Sequence, residues 1–80
     1  MTPDEFNEKW KSYLKENACG LQIGDHRVIE YLDEEFLKET NSNSHFIFGQ
    51  IKIKFGTARI YANSSRITEW KQTIDQILME

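Results

Sequence analysis

The stretch Gln50-Ile-Lys-Ile-Lys-Phe-Gly-Thr-Ala-Arg-Ile-Tyr61 alternates apolar and polar residues on both sides of a glycine. That is the pattern of a β-hairpin with one buried and one solvated face. A two-residue turn with glycine at its first central position puts Gly56-Thr57 at the tip. Phe55 then pairs with Ala58, Lys54 with Arg59, Ile53 with Ile60, Lys52 with Tyr61 and Ile51 with Ala62. This register gathers the apolar side chains on one face. A slip of one residue would mix isoleucines with lysines on both faces, so the hydrophobic pattern selects the pairing.

The opposite face carries Gln50, Lys52, Lys54, Arg59 and Tyr61, and Phe46 and Phe48 extend it along the first strand. Cations interleaved with aromatics form a candidate contact surface for an acidic protein or for phosphates, with Tyr61 and Phe48 available for stacking. Lys54 opposite Arg59 is a like-charge cross-strand pair, which is unfavourable by a few tenths of a kcal/mol in the absence of a counter-charge. Two sources of that counter-charge are open. A partner could bring it, or the acidic side of a neighbouring helix, with Glu30, Asp33 and Glu34, could supply it internally while Phe46 and Phe48 join the core. The internal source is the more ordinary one, because strand lysines also serve to discourage edge pairing.

The flanking segments read as helices. Thr2-Pro-Asp-Glu5 is a capping box with proline where its missing N–H costs nothing, and it opens a helix over about residues 3–17 with Phe6, Trp10, Tyr13 and Leu14 on one face. Asn17-Ala-Cys-Gly20 is its stop. Leu21-Gln-Ile23 reads as a short extended segment and Asp25 as the cap of a second helix, running to about Thr40, that buries Val28, Ile29, Leu32 and Phe36. Asn63-Ser-Ser65 should cap a last helix with Ile67, Trp70, Ile74, Ile77 and Leu78 in one stripe. The expected fold is a single α+β domain over residues 1–80, in the order α-α-β-β-α. An antiparallel hairpin is packed by amphipathic helices, and a short Leu21–Ile23 strand is available to complete the sheet.

Composition narrows the function classes. Eighty residues, 39% hydrophobic and 29% charged, suit one small globular domain. Ten basic and thirteen acidic residues give a net charge of −3, so attraction for an anion must come from a local patch. No run approaches the ~20 apolar residues of a membrane span, and Met1-Thr-Pro-Asp-Glu5 lacks a leader's basic and apolar regions, so a cytoplasmic protein without membrane contact is expected. Cys19 is the single cysteine and can form no internal disulfide.

The chemistry-bearing residues do not assemble into a motif. Cys19, Asp25 and His26 are the residue types of a thiol nucleophile and its base, but proximity in sequence is not the spatial arrangement that nucleophilic catalysis needs. Cys19, His26 and His45 lack zinc-ligand spacing. Gly20, Gly24, Gly49 and Gly56 are too scattered to cradle a phosphate. No catalytic residue, metal or cofactor is expected. Asp33-Glu34-Glu35 reads as a solvated helix face.

Gln50-x-Lys52-x-Lys54-Phe55-Gly56-x-x-Arg59-x-Tyr61, preceded by Gly24-Asp25 and the acidic helix from Ile29 to Glu35, resembles a group of small bacterial and phage-associated proteins. Those carry a Gln-Val-Lys-x-Lys-Phe-Gly-x-Leu-Arg-Phe-Tyr stretch after a similar helix. The likeness covers about half the chain. Ala58 stands where a leucine is usual, and no cysteine-containing tail follows the last helix, so a metal-binding extension is not implied. The resemblance implies the same fold and transfers no activity. The expected function is a non-enzymatic protein-interaction module of an inhibitor or immunity type, working through Gln50, Lys52, Lys54, Arg59, Tyr61 and Phe48. Nucleic-acid binding through the same face is the alternative, and the oligomeric state is left open.

Overall fold

The computed structural model describes all of residues 1–80. They form α1 (Pro3–Lys9), a 3₁₀ turn (Lys11–Tyr13), β1 (Gly20–Gln22), α2 (His26–Ser42), β2 (Phe48–Lys54), β3 (Thr57–Ala62) and α3 (Ile67–Met79). The domain is α+β, and its helices and longer strands follow the expected helix-helix-strand-strand-helix order. The sheet, however, is mixed and three-stranded rather than a lone antiparallel hairpin. Gly20, Leu21 and Gln22 run parallel to Gln50, Ile51 and Lys52. α2 is the crossover that a parallel pair requires. β2 is thereby the central strand, paired along both edges, and Leu21 is buried beside Ile51.

The hairpin turns one residue earlier than its glycine suggests. Lys54 pairs with Thr57, and Phe55 and Gly56 occupy the turn with φ of 54° and 75°. Two successive left-handed residues make a turn whose twist matches that of the strands. The pairing becomes Ile53 with Ala58, Lys52 with Arg59 and Ile51 with Ile60. Relative to a Gly56-Thr57 turn, each residue of β2 meets a partner two positions away. Because side chains alternate with period two, both faces survive the change. Only the cross-strand neighbours differ, and the like-charge pair is Lys52 with Arg59.

A bulge at Gly49 interrupts that alternation, with Phe48 opposite Ala62 and Gln50 opposite Tyr61. One extra residue turns Phe48 from the cationic face to the apolar one. Phe48 is completely buried there, and so is Phe46.

The helices and the loops beside them bury their apolar stripes against this apolar face of the sheet. Phe6 and Trp10 from the α1 region, Val28, Ile29, Leu32 and Phe36 from α2, and Trp70 and Ile74 from α3 meet Ile51 and Ala58 in one cluster. The Thr2 capping box is formed, with Glu5 N–H donating to Thr2 Oγ1 at 3.1 Å and Thr2 N–H to Glu5 Oε1 at 3.0 Å. α1 nonetheless ends at Lys9, well short of residue 17. Leu14 is extended and bridges to Phe48, and the Lys15 N–H donates to the Phe48 carbonyl at 2.7 Å, so pairing with β2 prevails over local helical periodicity. Asp25 caps α2 as expected, accepting from Arg27 N–H. Asn63 does not cap α3. Its amide accepts from Ile47 N–H at 2.8 Å and donates to the His45 carbonyl at 2.7 Å, tying the entrance of β2 to the exit of β3.

Both outer strands are held by a helix side chain. The Asn7 amide of α1 accepts from Leu21 N–H at 2.7 Å and donates to the Leu21 carbonyl at 3.2 Å. It does for β1 what a neighbouring strand would do. A side chain on Gly20 would collide with this amide, which lies 2.6 Å from the position of a Cβ, and the residue's φ of +72° also favours glycine. On the other side, Asp75 of α3 accepts from Ala58 N–H at 2.8 Å and from Lys71 Nζ at 2.7 Å.

Phe55 combines a left-handed φ with 89% exposure, so its conformational cost has no compensating burial. Phe55→Asn should raise the unfolding free energy by about 1 kcal/mol, read as a higher urea midpoint at unchanged slope. The hydrogen bond from Lys71, with that from Ala58, holds the Asp75 carboxyl below the usual aspartate range against the opposing effect of burial. A carboxyl depressed in the folded state stabilises it above the unfolded pKa, and the contribution is lost as pH falls through the folded value. Asp75→Asn keeps an acceptor for Ala58 but cannot titrate. Between about pH 6 and pH 2 its urea midpoint should therefore fall less than that of the wild type.

Candidate functional site

With every helix on the apolar side, the other face of the sheet is left to solvent. It is organised in cross-strand rows. Gln22, Lys52 and Arg59 form one row, and Gly20, Gln50 and Tyr61 another. Lys54 and Thr57 close the hairpin end. Lys54 and Arg59 are exposed, Lys52 and Gln50 are half-buried between neighbouring strands, and Tyr61 is 53% exposed. Five of the six expected contact residues thus share one surface. Phe48 does not belong to it, because the Gly49 bulge sends its ring into the core.

The charge balance of this face is specific. Of the ten lysines and arginines, five are ion-paired, namely Lys9, Arg27, Lys38, Arg66 and Lys71. Lys11, Lys15, Lys52, Lys54 and Arg59 have no carboxylate partner, and the last three share this face. The acids that could have neutralised them from within are held elsewhere. Asp33 accepts from Lys9 Nζ and, at 2.8 Å, from the Trp10 indole N–H. Glu30 and Glu34 are exposed on α2, across the sheet from the cations. The internal source of counter-charge that the sequence left open is therefore not used. The acidic run of α2 is also not a purely solvated face. Glu35 is buried, accepting from the Trp70 indole N–H at 3.1 Å and from Lys38 Nζ at 3.1 Å, and Glu39 is buried beside Arg66 and Asn43.

Next to the cations, at the bulged end of the sheet, lies an open groove of about 860 Å³. The Lys15–Cys19 loop and Ile47 form one wall. Gly49, Gln50 and Tyr61 form the floor, and Ile60, Ala62 and Ile67 continue it beyond β3. Ile47, 46% exposed, and Tyr61 give it an apolar and aromatic surface. The Cys19 thiol is free and exposed in this wall. Neither Ile47 nor the groove was marked by a sequence signal. Ile47 sits in a loop without periodicity, and the groove exists only because the chain before β1 bridges to β2.

Phe55 adds an exposed ring at the hairpin tip, with Lys54 Nζ 5.6 Å from its centroid. No group of three or more His, Cys, Asp or Glu side chains is placed to share a metal ion. Cys19, Asp25 and His26 are not joined by any hydrogen bond to one another. No helix is long and apolar enough to cross a membrane. The arrangement offers attraction for negative charge, a half-exposed phenol for stacking, and an apolar trough. No protein-family model, curated protein or solved structure matches the chain.

Because the three cations make no internal ion pairs, replacing them should leave folding nearly unchanged. Lys52→Glu, Lys54→Glu and Arg59→Glu together should keep the wild-type circular dichroism spectrum and alter the unfolding free energy by no more than about 1 kcal/mol, as for surface substitutions without a buried partner.

Proposed function

We propose that this domain is a non-enzymatic interaction module, of an inhibitor or immunity type, that occludes an acidic surface of a partner protein with the cationic face of its sheet. The observation that carries this reading is the contrast between paired and unpaired charge. Five cations find carboxylates within the fold, and of the five that do not, Lys52, Lys54 and Arg59 are aligned on one uncovered face while Lys11 and Lys15 lie outside the strands. Lys52 and Arg59 are held directly opposite each other, an arrangement relieved when a carboxylate docks between them. Tyr61 beside them, and Phe55 at the tip, are the aromatic anchors that such interfaces concentrate their energy on. A cytoplasmic setting suits a module whose one cysteine is exposed and unpaired.

A second reading, nucleic-acid binding, is favoured by the half-exposed Tyr61 ring among cations, an arrangement on which a base can stack. The charge count weighs against it. Three phosphate contacts release few counterions, and the remainder of a chain of net charge −3 repels an extended polyanion. A limited acidic patch on a folded partner meets the cations without incurring that repulsion.

The deciding experiment is capture from host-cell lysate by the wild type and by the Lys52→Glu, Lys54→Glu, Arg59→Glu variant, with and without nuclease. A protein retained by the wild type alone and indifferent to nuclease is the expected result. Retention of nucleic acid, lost steeply with added salt, would replace the protein-docking reading by the second one.

A further inference from the structure

We propose that the partner is engaged along the outer edge of β3, by an extended segment of alternating acidic and apolar residues that adds to the sheet as a fourth strand. This rests on the reading of the cationic face as a docking surface for an acidic protein, and specifies how the partner lies on it. β3 is an outer strand of the sheet. Within the hairpin, Thr57, Arg59 and Tyr61 turn their peptide groups toward β2, so those of Ala58, Ile60 and Ala62 point outward. The Ala58 N–H is taken by Asp75, and just past the strand the Asn63 N–H returns to the Ile47 carbonyl. Between these two fixed points the N–H and C=O groups of Ile60 and Ala62 have no partner in the fold.

The contrast with β1 is informative. There the outward N–H and C=O of Leu21 are both satisfied by Asn7. On β3 the corresponding groups border the groove, which Ile60, Tyr61, Ala62 and Ile67 line. A strand laid in that space gains main-chain hydrogen bonds and specificity from alternate side chains. One set of its side chains falls beside Arg59 and Tyr61 on the cationic face, and the other beside Ile60, Ala62 and Ile67. Carboxylates suit the first set and apolar groups the second.

A second copy of this chain is the poorer occupant. Pairing β3 with itself would merge two cationic faces into one continuous surface, doubling the positive charge without adding a carboxylate to it. Charge complementarity selects an acidic segment from another protein.

The test uses the full chain and a short end-blocked peptide alternating valine and glutamate, with two further versions N-methylated on the valine or on the glutamate amides. Binding should slow hydrogen exchange at the Ile60 and Ala62 amides. N-methylation should weaken the affinity by about fivefold or more in one series only, since a strand directs alternate amides to one edge. Loss in the valine series marks antiparallel addition and loss in the glutamate series parallel addition. Equal affinity of all three peptides, still abolished by Lys52→Glu, Lys54→Glu and Arg59→Glu, would overturn strand addition while leaving the docking face intact. No binding by any of them would also overturn it, with the docking face then judged by the lysate capture, which does not depend on strand addition.

Discussion

The ring of Phe36 is the point on which this small fold converges. Its centroid lies 5.2 Å from Phe6, 5.5 Å from Trp10, 4.9 Å from Phe46, 5.0 Å from Phe48 and 5.5 Å from Trp70. Those rings come from α1 and its C-terminal end, the loop before β2, β2 itself and α3, so one side chain of α2 is in contact with every layer of the molecule. A chain of 80 residues has little surface to bury, and aromatic side chains remove more of it per residue than any others. Concentrating them on one side of the sheet makes a stable core possible. The same concentration leaves no helix for the other side, and the bare cationic face follows directly from the way the core is built.

The two tryptophans add an electrostatic consequence. An indole N–H buried against a helix needs an acceptor, and both find one on α2, Trp10 in Asp33 and Trp70 in Glu35. These bonds draw α2 carboxylates into the joints between helices, where Lys9 and Lys38 also meet them. Asp33 and Glu35 are thus engaged on the helical side, and Lys52, Lys54 and Arg59 form no ion pair with any carboxylate. Charge separation across the domain is a product of satisfying the core's polar groups, and it turns a uniformly mixed composition into a molecule with one basic face.

The extent to which sequence revealed this differs by element. α2 was legible because its apolar stripe is long and its cap at Asp25 is local. The two faces of the hairpin were legible because alternation with period two is insensitive to a pairing change of two residues. The parallel strand β1 was legible only as a short extended segment, since three residues carry little pattern and their partners lie thirty residues away. The early end of α1 has the same origin, in the bridge from Leu14 to Phe48. Phe48 was misplaced because the bulge at Gly49 breaks the alternation from which its face was read, and a glycine within a strand is the one signal that could have exposed it. The turn at Phe55-Gly56 runs against residue preference, since a bulky side chain rarely takes positive φ.

A sheet edge only partly sealed, beside a bare sheet face, is ordinarily a route to self-association, and the distribution of charge bears on that hazard here. The β1 edge is sealed by an amide that imitates a strand, while Asp75 seals only the first outward N–H of β3. The rest of the β3 edge is guarded by what stands next to it, Arg59 on the strand and Lys52 and Lys54 behind it. Like charges brought into register repel, so these residues disfavour an identical chain at the same edge where they attract a carboxylate-bearing one. Selectivity then needs no elaborate pocket. On the proposed docking mode, repulsion disfavours self-pairing, attraction favours the opposite charge, and the hydrogen-bonding groups of Ile60 and Ala62 serve a chain that meets both criteria.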